Sequence, residues 1–150
     1  MEEMRNERAM ARRLILYGFV LILLGLLTGL VIPALRAPRL GLSAHINALM
    51  GGLILIVVGA VWGKLSLAGR KASVVFRLLV YSTFMNWIAT LLGAIFGTSL
   101  LTPLAGEGGR AALWQEGVVA TLLVSLVISI LAAIIMIIAA LLKAGNDRSG

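Results

Sequence analysis

Four runs of about twenty apolar residues, at 14–32, 44–63, 76–97 and 117–142, leave this 150-residue chain little choice of fold. At ~1.5 Å of rise per residue, each is long enough as a helix to cross ~30 Å of hydrocarbon. Inside a bilayer every backbone N–H and C=O must find its partner within the protein, which favours helices over open sheets. The runs are joined by short connections, so neighbours are expected to lie antiparallel. The expected fold is therefore all-α, an integral membrane four-helix bundle at 14–142, with polar tails at 1–13 and 143–150. A hydrophobic content of 61% and a mean hydropathy of +1.07 exclude an ordinary soluble domain. The first run is too long for the apolar core of a signal peptide and reads as a retained helix.

A net charge of +7 in a soluble chain would raise the question of nucleic acid, but here the basic residues sit at the ends of the apolar runs. Arg5, Arg8, Arg12 and Arg13 precede the first, and Lys64, Arg70, Lys71 and Arg77 surround the second connection. Lys143 and Arg148 follow the fourth, whereas the other two connections hold only Arg36, Arg39 and Arg110. The positive-inside rule then predicts cytoplasmic N and C termini and a multi-pass protein of the cell membrane, with lipid and not nucleic acid as its surroundings. Pro33 is expected to stop the first helix and Pro38 to stiffen the outer loop. Three small-xxx-small pairs, Gly25/Gly29, Gly59/Gly63 and Gly93/Gly97, predict close helix approach. The cluster from Gly106 to Gly109 predicts a flexible outer loop.

Chemistry has few residues to work with. Cysteine is absent, which removes thiol nucleophiles, disulfides and thiolate metal sites. One histidine, His45, stands at the mouth of the second run with Asn47 beside it, and Glu116 is the only acid close to a membrane segment. No catalytic triad, carboxylate pair, phosphate-binding loop or zinc motif can be assembled. An embedded acid for proton-coupled transport is also missing. Ser82, Asn86 and Thr90, with Thr83 alongside, recur at helical spacing and predict a polar stripe facing protein or a cavity. Interhelical hydrogen bonding and substrate lining both account for it. Thr121, Ser125 and Ser129 form a second stripe, read as interhelical bonding. Tyr81 and Trp87 flank the first stripe, as packing groups or, for Tyr81, as a donor to a substrate oxygen. A lone imidazole either bonds near the loop or ligates a haem iron whose other face stays open.

The stretch LGLLTGLVIPALRAPRLGLSAHINALMGGLILIVVGAVW, followed by YSTFMNWIATLLGAIFG and WQEG, resembles the hydroxylaminobenzene mutases, small membrane proteins akin to the styrene oxide isomerases. The resemblance covers nearly all the chain between the tails. It implies a homotrimeric four-helix membrane isomerase that binds haem b between subunits and rearranges a small aromatic substrate by Lewis-acid catalysis. It places His45 as axial ligand of the haem iron, with Asn47, Gly51 and Gly52 around the cofactor. Asn86 and Thr90 would then orient the substrate, and Tyr81 or Glu116 would handle a proton. The chain departs from the family pattern at Gly51, where an asparagine is usual, and at Asn47, where the mutase branch often has an acid. The tyrosine and aspartate of the epoxide-isomerase branch align with Thr90 and Ser82. Two further readings stay open beside the isomerase: a non-catalytic membrane haem-binding or sensor protein, and a haem-free structural or transport subunit.

Overall fold

The computed structural model describes residues 2–65, 67, 69–106, 108–109 and 111–146. Arg110 and Arg148, used above for orientation, and the end of the C-terminal tail lie outside the described residues. Four long helices carry the apolar runs: α1 (Glu2–Val31), α2 (Pro38–Val61), α3 (Gly69–Phe96) and α5 (Leu113–Asn146). A single turn, α4 (Pro103–Gly106), lies in the loop before α5. All four long helices are long and apolar enough to span a membrane, and the described residues contain no strand.

The helices start well before hydrophobicity does. Charged Arg, Lys and Glu are good helix formers, so α1 and α3 run back through polar flanks that the apolar pattern leaves out. The start of α2 matters most. Pro38 occupies its first turn, where a proline's fixed φ is helical and its missing N–H is not needed. Pro38 thus initiates α2 instead of stiffening a loop, and the segment before residue 44 is helix. Pro33 behaves as expected: α1 ends at Val31 and passes into a 3-10 turn over Ile32–Ala34.

The helices form an open row. α2 packs along α1, α3 along α2, and α5 along α3, while α1 and α5 lie at opposite ends without substantial contact. α3 is the most enclosed, with 39% of its apolar window buried against 17% for α5, whose remaining face is exposed leucine, isoleucine and valine. Tyr17 of α1 reaches α3, meeting Phe84 edge-on at 6.4 Å.

The α1–α2 contact is the tightest. A Cβ at Gly18 would sit 2.6 Å from Gly52 O, and one at Gly52 would sit 2.7 Å from Gly18 O. Gly25 meets Ala48 and the His45 carbonyl, and Gly59 meets the Ala11 carbonyl. Only the first of the three expected glycine pairs works as a pair at a helix interface. Gly63 faces open space, and Gly97 terminates α3 at φ +73°, with its own N–H and that of Thr98 donating to Gly93 O. The loop after α1 is stitched to the same helix end by Ala37 N–H donating to Ala94 O at 3.0 Å.

Candidate functional site

Because α2 is already helical at Pro38, His45 and Asn47 face different neighbours. Two residues apart on a helix is ~200° of rotation. His45 lies half-buried against α1, where its Nδ1–H donates to Gly25 O at 2.7 Å. A Cβ at Gly29 would lie 2.9 Å from that same Nδ1, so the ring rests on bare backbone. Committing Nδ1–H to a carbonyl fixes the tautomer and leaves the Nε2 lone pair as the reactive one.

Asn47 faces the other way, toward α3, and its Nδ2–H donates to Asn86 Oδ1 at 3.3 Å. This pair lies in a cleft of about 100 Å³ lined by Asn47, Met50, Gly51 and Ile54 of α2, Ser82, Thr83 and Asn86 of α3, and Leu126 and Ile130 of α5. The α2 members follow the i, i+3, i+4, i+7 pattern of one helix face. The cleft exists because α2 and α5 both pack on α3 but scarcely on each other. Gly51 keeps it open: a Cβ there would come within 3.2 Å of both Thr83 Cβ and Leu21. A larger cavity of about 440 Å³, lined by Asn6, Glu7, Arg13, Gly69 and Ser73 among others, sits at the charged end of α1 and α3, away from both His45 and Asn86.

The structure therefore brings Asn47, Gly51 and Asn86 together in the cleft, with Thr90 bonded to the Asn86 backbone and Tyr81 at the cleft's edge, and places His45, Gly52 and Glu116 elsewhere. Gly52 packs on α1. Thr90, one turn beyond Asn86, is buried and donates to Asn86 O at 2.7 Å. Tyr81 is 39% exposed and shares a 2.8 Å hydrogen bond with Ser125 of α5, beside the cleft. Glu116, in the first turn of α5, accepts the N–H groups of Ser99 and Leu100 at 2.9 and 3.1 Å. That bidentate hold fastens the outer loop, roughly 15 Å along the helix from Leu126.

The polar stripes bond mostly within their own helices. Ser82 and Thr83 both donate to Leu79 O, while Thr121 donates to Gly117 O and Ser129 to Ser125 O. Among these stripe residues, interhelical bonds come from Asn86 and from Ser125. Trp87 supplies one that the sequence did not single out, donating from Nε1 to Thr28 Oγ1 at 3.0 Å and tying α3 to α1. Trp87→Phe is expected to cost about 1 kcal/mol in an SDS-titration unfolding measurement, the size of an interhelical bond in a membrane protein.

Described residues offer no group of three or more His, Cys, Asp or Glu side chains that would hold a bare metal ion. A single imidazole on the α1 side of α2 and an amide pair in a cleft on its α3 side narrow the possibilities, and comparison with known proteins narrows them further. The family profile described as styrene oxide isomerase matches residues 10–142. The chain belongs to the styrene oxide isomerase family. It is 39% identical over 127 residues to hydroxylaminobenzene mutase HabB of Ectopseudomonas oleovorans, covering 84% of this chain and 77% of that protein. To hydroxylaminobenzene mutase HabA of the same organism it is 37% identical over 127 residues, 84% of this chain and 94% of that protein. No solved structure matches significantly. This member of the family is an enzyme of the isomerase or mutase class, which sets aside the structural, transport and non-catalytic sensor readings.

Proposed function

We propose that this protein is a haem-dependent isomerase of the cell membrane that rearranges an aromatic hydroxylamine, or a related aryl epoxide, with no net oxidation. The observation that carries the cofactor assignment is the His45 hydrogen bond to Gly25 O, which leaves Nε2 free to ligate. Metal-bound histidines typically donate their other ring N–H in this way. A porphyrin brings four of its own ligands, so one imidazole is enough, and the membrane-exposed side chains around it on α1 and α2, among them Leu26, Leu30, Leu42 and Ile46, suit an apolar macrocycle. The residues present thus fit haem b held by His45. Bound there, ferric haem supplies a Lewis acid for the substrate oxygen.

Protein groups do the rest. The cleft, at about 100 Å³, is smaller than the ~150 Å³ apolar cavity that takes up benzene, so an aromatic ring enters it in part, through its open side. Met50, Ile54, Leu126 and Ile130 hold the ring, and the Asn86 amide holds the polar substituent. Thr90 supports Asn86 from the next turn. Of the two proton-handling candidates, Tyr81 is the nearer in sequence to the cleft residues, while the Glu116 carboxylate is engaged by the loop. His45 and the cleft lie on different faces of α2 and do not meet within one chain. A homotrimer with haem b between subunits lets His45 of one copy serve the cleft of the next. Both termini lie on the cytoplasmic side, as Arg5, Arg8, Arg12, Arg13, Lys64, Arg70, Lys71, Arg77 and Lys143 gather at the corresponding helix ends.

The test is a visible absorption titration of detergent-purified protein with haem, followed by incubation with phenylhydroxylamine and with styrene oxide. A stoichiometric haem band and conversion to an aminophenol or an aldehyde are expected. A well-folded preparation that takes up no haem would overturn the reading.

A further inference from the structure

A helix that is apolar all round has little in a membrane to set its rotation about its own axis. In water an apolar stripe turns inward, but lipid tails are as apolar as leucine, so close packing and hydrogen bonds must choose the face. α5 meets this problem at the cleft. Leu126 and Ile130 line the cleft, while Val127 and Leu131, the next residues along, are exposed. Turning α5 by one residue, ~100°, would exchange the two pairs at little transfer cost.

Contacts at either end hold the helix in place. Trp114 meets Phe96 with 5.6 Å between ring centroids and Glu116 grips the outer loop, about 15 Å along the helix from Ser125. Toward the other end, Ala133 and Ile137 join the buried cluster that includes Val75 and Leu79. Level with the cleft, Tyr81 Oη and Ser125 Oγ lie 2.8 Å apart, the one side-chain hydrogen bond between α3 and α5 among the described residues. Thr121 and Ser129, the other hydroxyls of that stripe, bond to their own backbone. The residues that follow Tyr81 and Ser125, namely Ser82 and Leu126, both line the cleft.

The bond is costly to forgo. Tyr81 is 39% exposed on a span suited to lipid, and a hydroxyl in hydrocarbon without a partner is unfavourable. Ser125 Oγ also lies 2.9 Å from Leu122 O, so with its hydrogen placed there it accepts from Tyr81 and both hydroxyl hydrogens are bonded. Either direction of donation ties the same angular position of α5 to α3.

We infer that Ser125 is a positioning residue: through its bond to Tyr81 it sets the rotation of α5 that turns Leu126 and Ile130 into the cleft, and so sets which ring substituents the cleft admits. This rests on the reading of the cleft as the substrate pocket, and the two measurements below fail separately.

The first is a double-mutant cycle read as substrate choice. For each variant, kcat/KM for para-tolylhydroxylamine is divided by that for phenylhydroxylamine, a ratio that cancels any loss of folded or haem-loaded enzyme. Ser125→Ala, which removes one oxygen atom, is expected to relax discrimination by about threefold, the weight of an average interhelical hydrogen bond in a membrane protein. Tyr81→Phe is expected to give the same ratio and the double variant no further change, because one bond is lost in all three. Ser129→Ala, whose hydroxyl bonds to Ser125 O at 2.9 Å within α5, is expected to keep the native ratio. A native ratio in Ser125→Ala would overturn the inference, as would additive effects of the two single variants.

The second needs no turnover. The chain has no cysteine, so single cysteines placed in turn along 123–134, leaving 125 as serine, carry one nitroxide each. Accessibility of the nitroxides to dissolved oxygen, which concentrates in lipid, is expected to follow a sharp period of ~3.6 residues in the native background. In the Tyr81→Phe background the period is expected to flatten or shift in phase around 126–131. If the haem-loaded native protein shows no isomerase activity, the proposed function fails while this scan still decides whether the bond sets the rotation. An unchanged scan overturns the inference even where the enzyme turns over, and a changed scan with a native substrate ratio overturns its link to the cleft.

Discussion

Replacing His45 with alanine is expected to abolish the haem band of the purified protein and to lower isomerase turnover by more than the roughly 10–100-fold that loss of an outer-shell partner costs a metal site. The expectation follows from geometry at both ring nitrogens. Nδ1–H is held by Gly25 O, and the chain has no second histidine or any cysteine to take over at Nε2. A graded partner experiment comes from Gly29→Ala. The added Cβ would lie 2.9 Å from Nδ1 and 3.1 Å from Cε1, so the ring must tilt away and the bond to Gly25 must lengthen. Haem affinity in that variant is expected to fall by about 10–100-fold while the ligand itself remains. Both are read by haem titration in detergent. A His45→Ala protein that keeps the native spectrum would assign the iron to another side chain.

Gly52→Leu is expected to prevent recovery of a monodisperse folded protein, and Gly52→Ala to destabilise it by about 1–3 kcal/mol, the usual cost of overpacking a tight interior. The new Cβ would meet Gly18 O at 2.7 Å and Ile22 Cγ1 at 2.6 Å. The first of these is backbone in the centre of a helix and cannot swing aside, so α1 and α2 must separate along their whole length. Gly63→Ala is the matched control. It lies about three turns further toward the chain's middle loop, with nothing within 4 Å of a Cβ, and should change stability by less than about 0.5 kcal/mol. SDS-titration unfolding of the three variants against the native protein measures the contrast. Since Gly25 is on the same seam, haem affinity should fall with stability in Gly52→Ala and not in Gly63→Ala.

Those two glycines also mark where the sequence stopped being readable. The four spans and the end of α1 follow from hydrophobic run length and from Pro33, because neither depends on what the chain packs against. The α1–α2 seam does not: its working glycines, Gly18 with Gly25 and Gly52 with Gly59, recur every seven residues, and a search for four-residue spacing passes over Gly18 and Gly52 and promotes Gly63 and Gly97 instead. His45 was legible as the lone histidine, but its direction depended on where α2 begins, which an apolar pattern starting at residue 44 places too late. Asn86 was legible as part of a polar stripe. That Ser82 and Thr83 bond backward to Leu79 O was not, since a serine or threonine in a helix chooses between its own backbone and a neighbour by rotamer. Glu116 illustrates the same limit, for nothing in the spacing of the outer loop announces that its carboxylate gathers the N–H groups of Ser99 and Leu100.

The gap between α2 and α5 has a consequence for how substrate supply is to be counted. Met50 and Ile54, at 55% and 38% exposure, form a rim of the cleft within the apolar span of α2, so in the proposed assembly the cleft is filled from the hydrocarbon layer and not from water. An aromatic molecule arriving there has already partitioned out of water, and occupancy follows its mole fraction in the membrane. At fixed total substrate, adding lipid or detergent dilutes that mole fraction. The apparent KM in molar units then climbs with the amount of lipid present, while the KM expressed per mole of lipid remains constant.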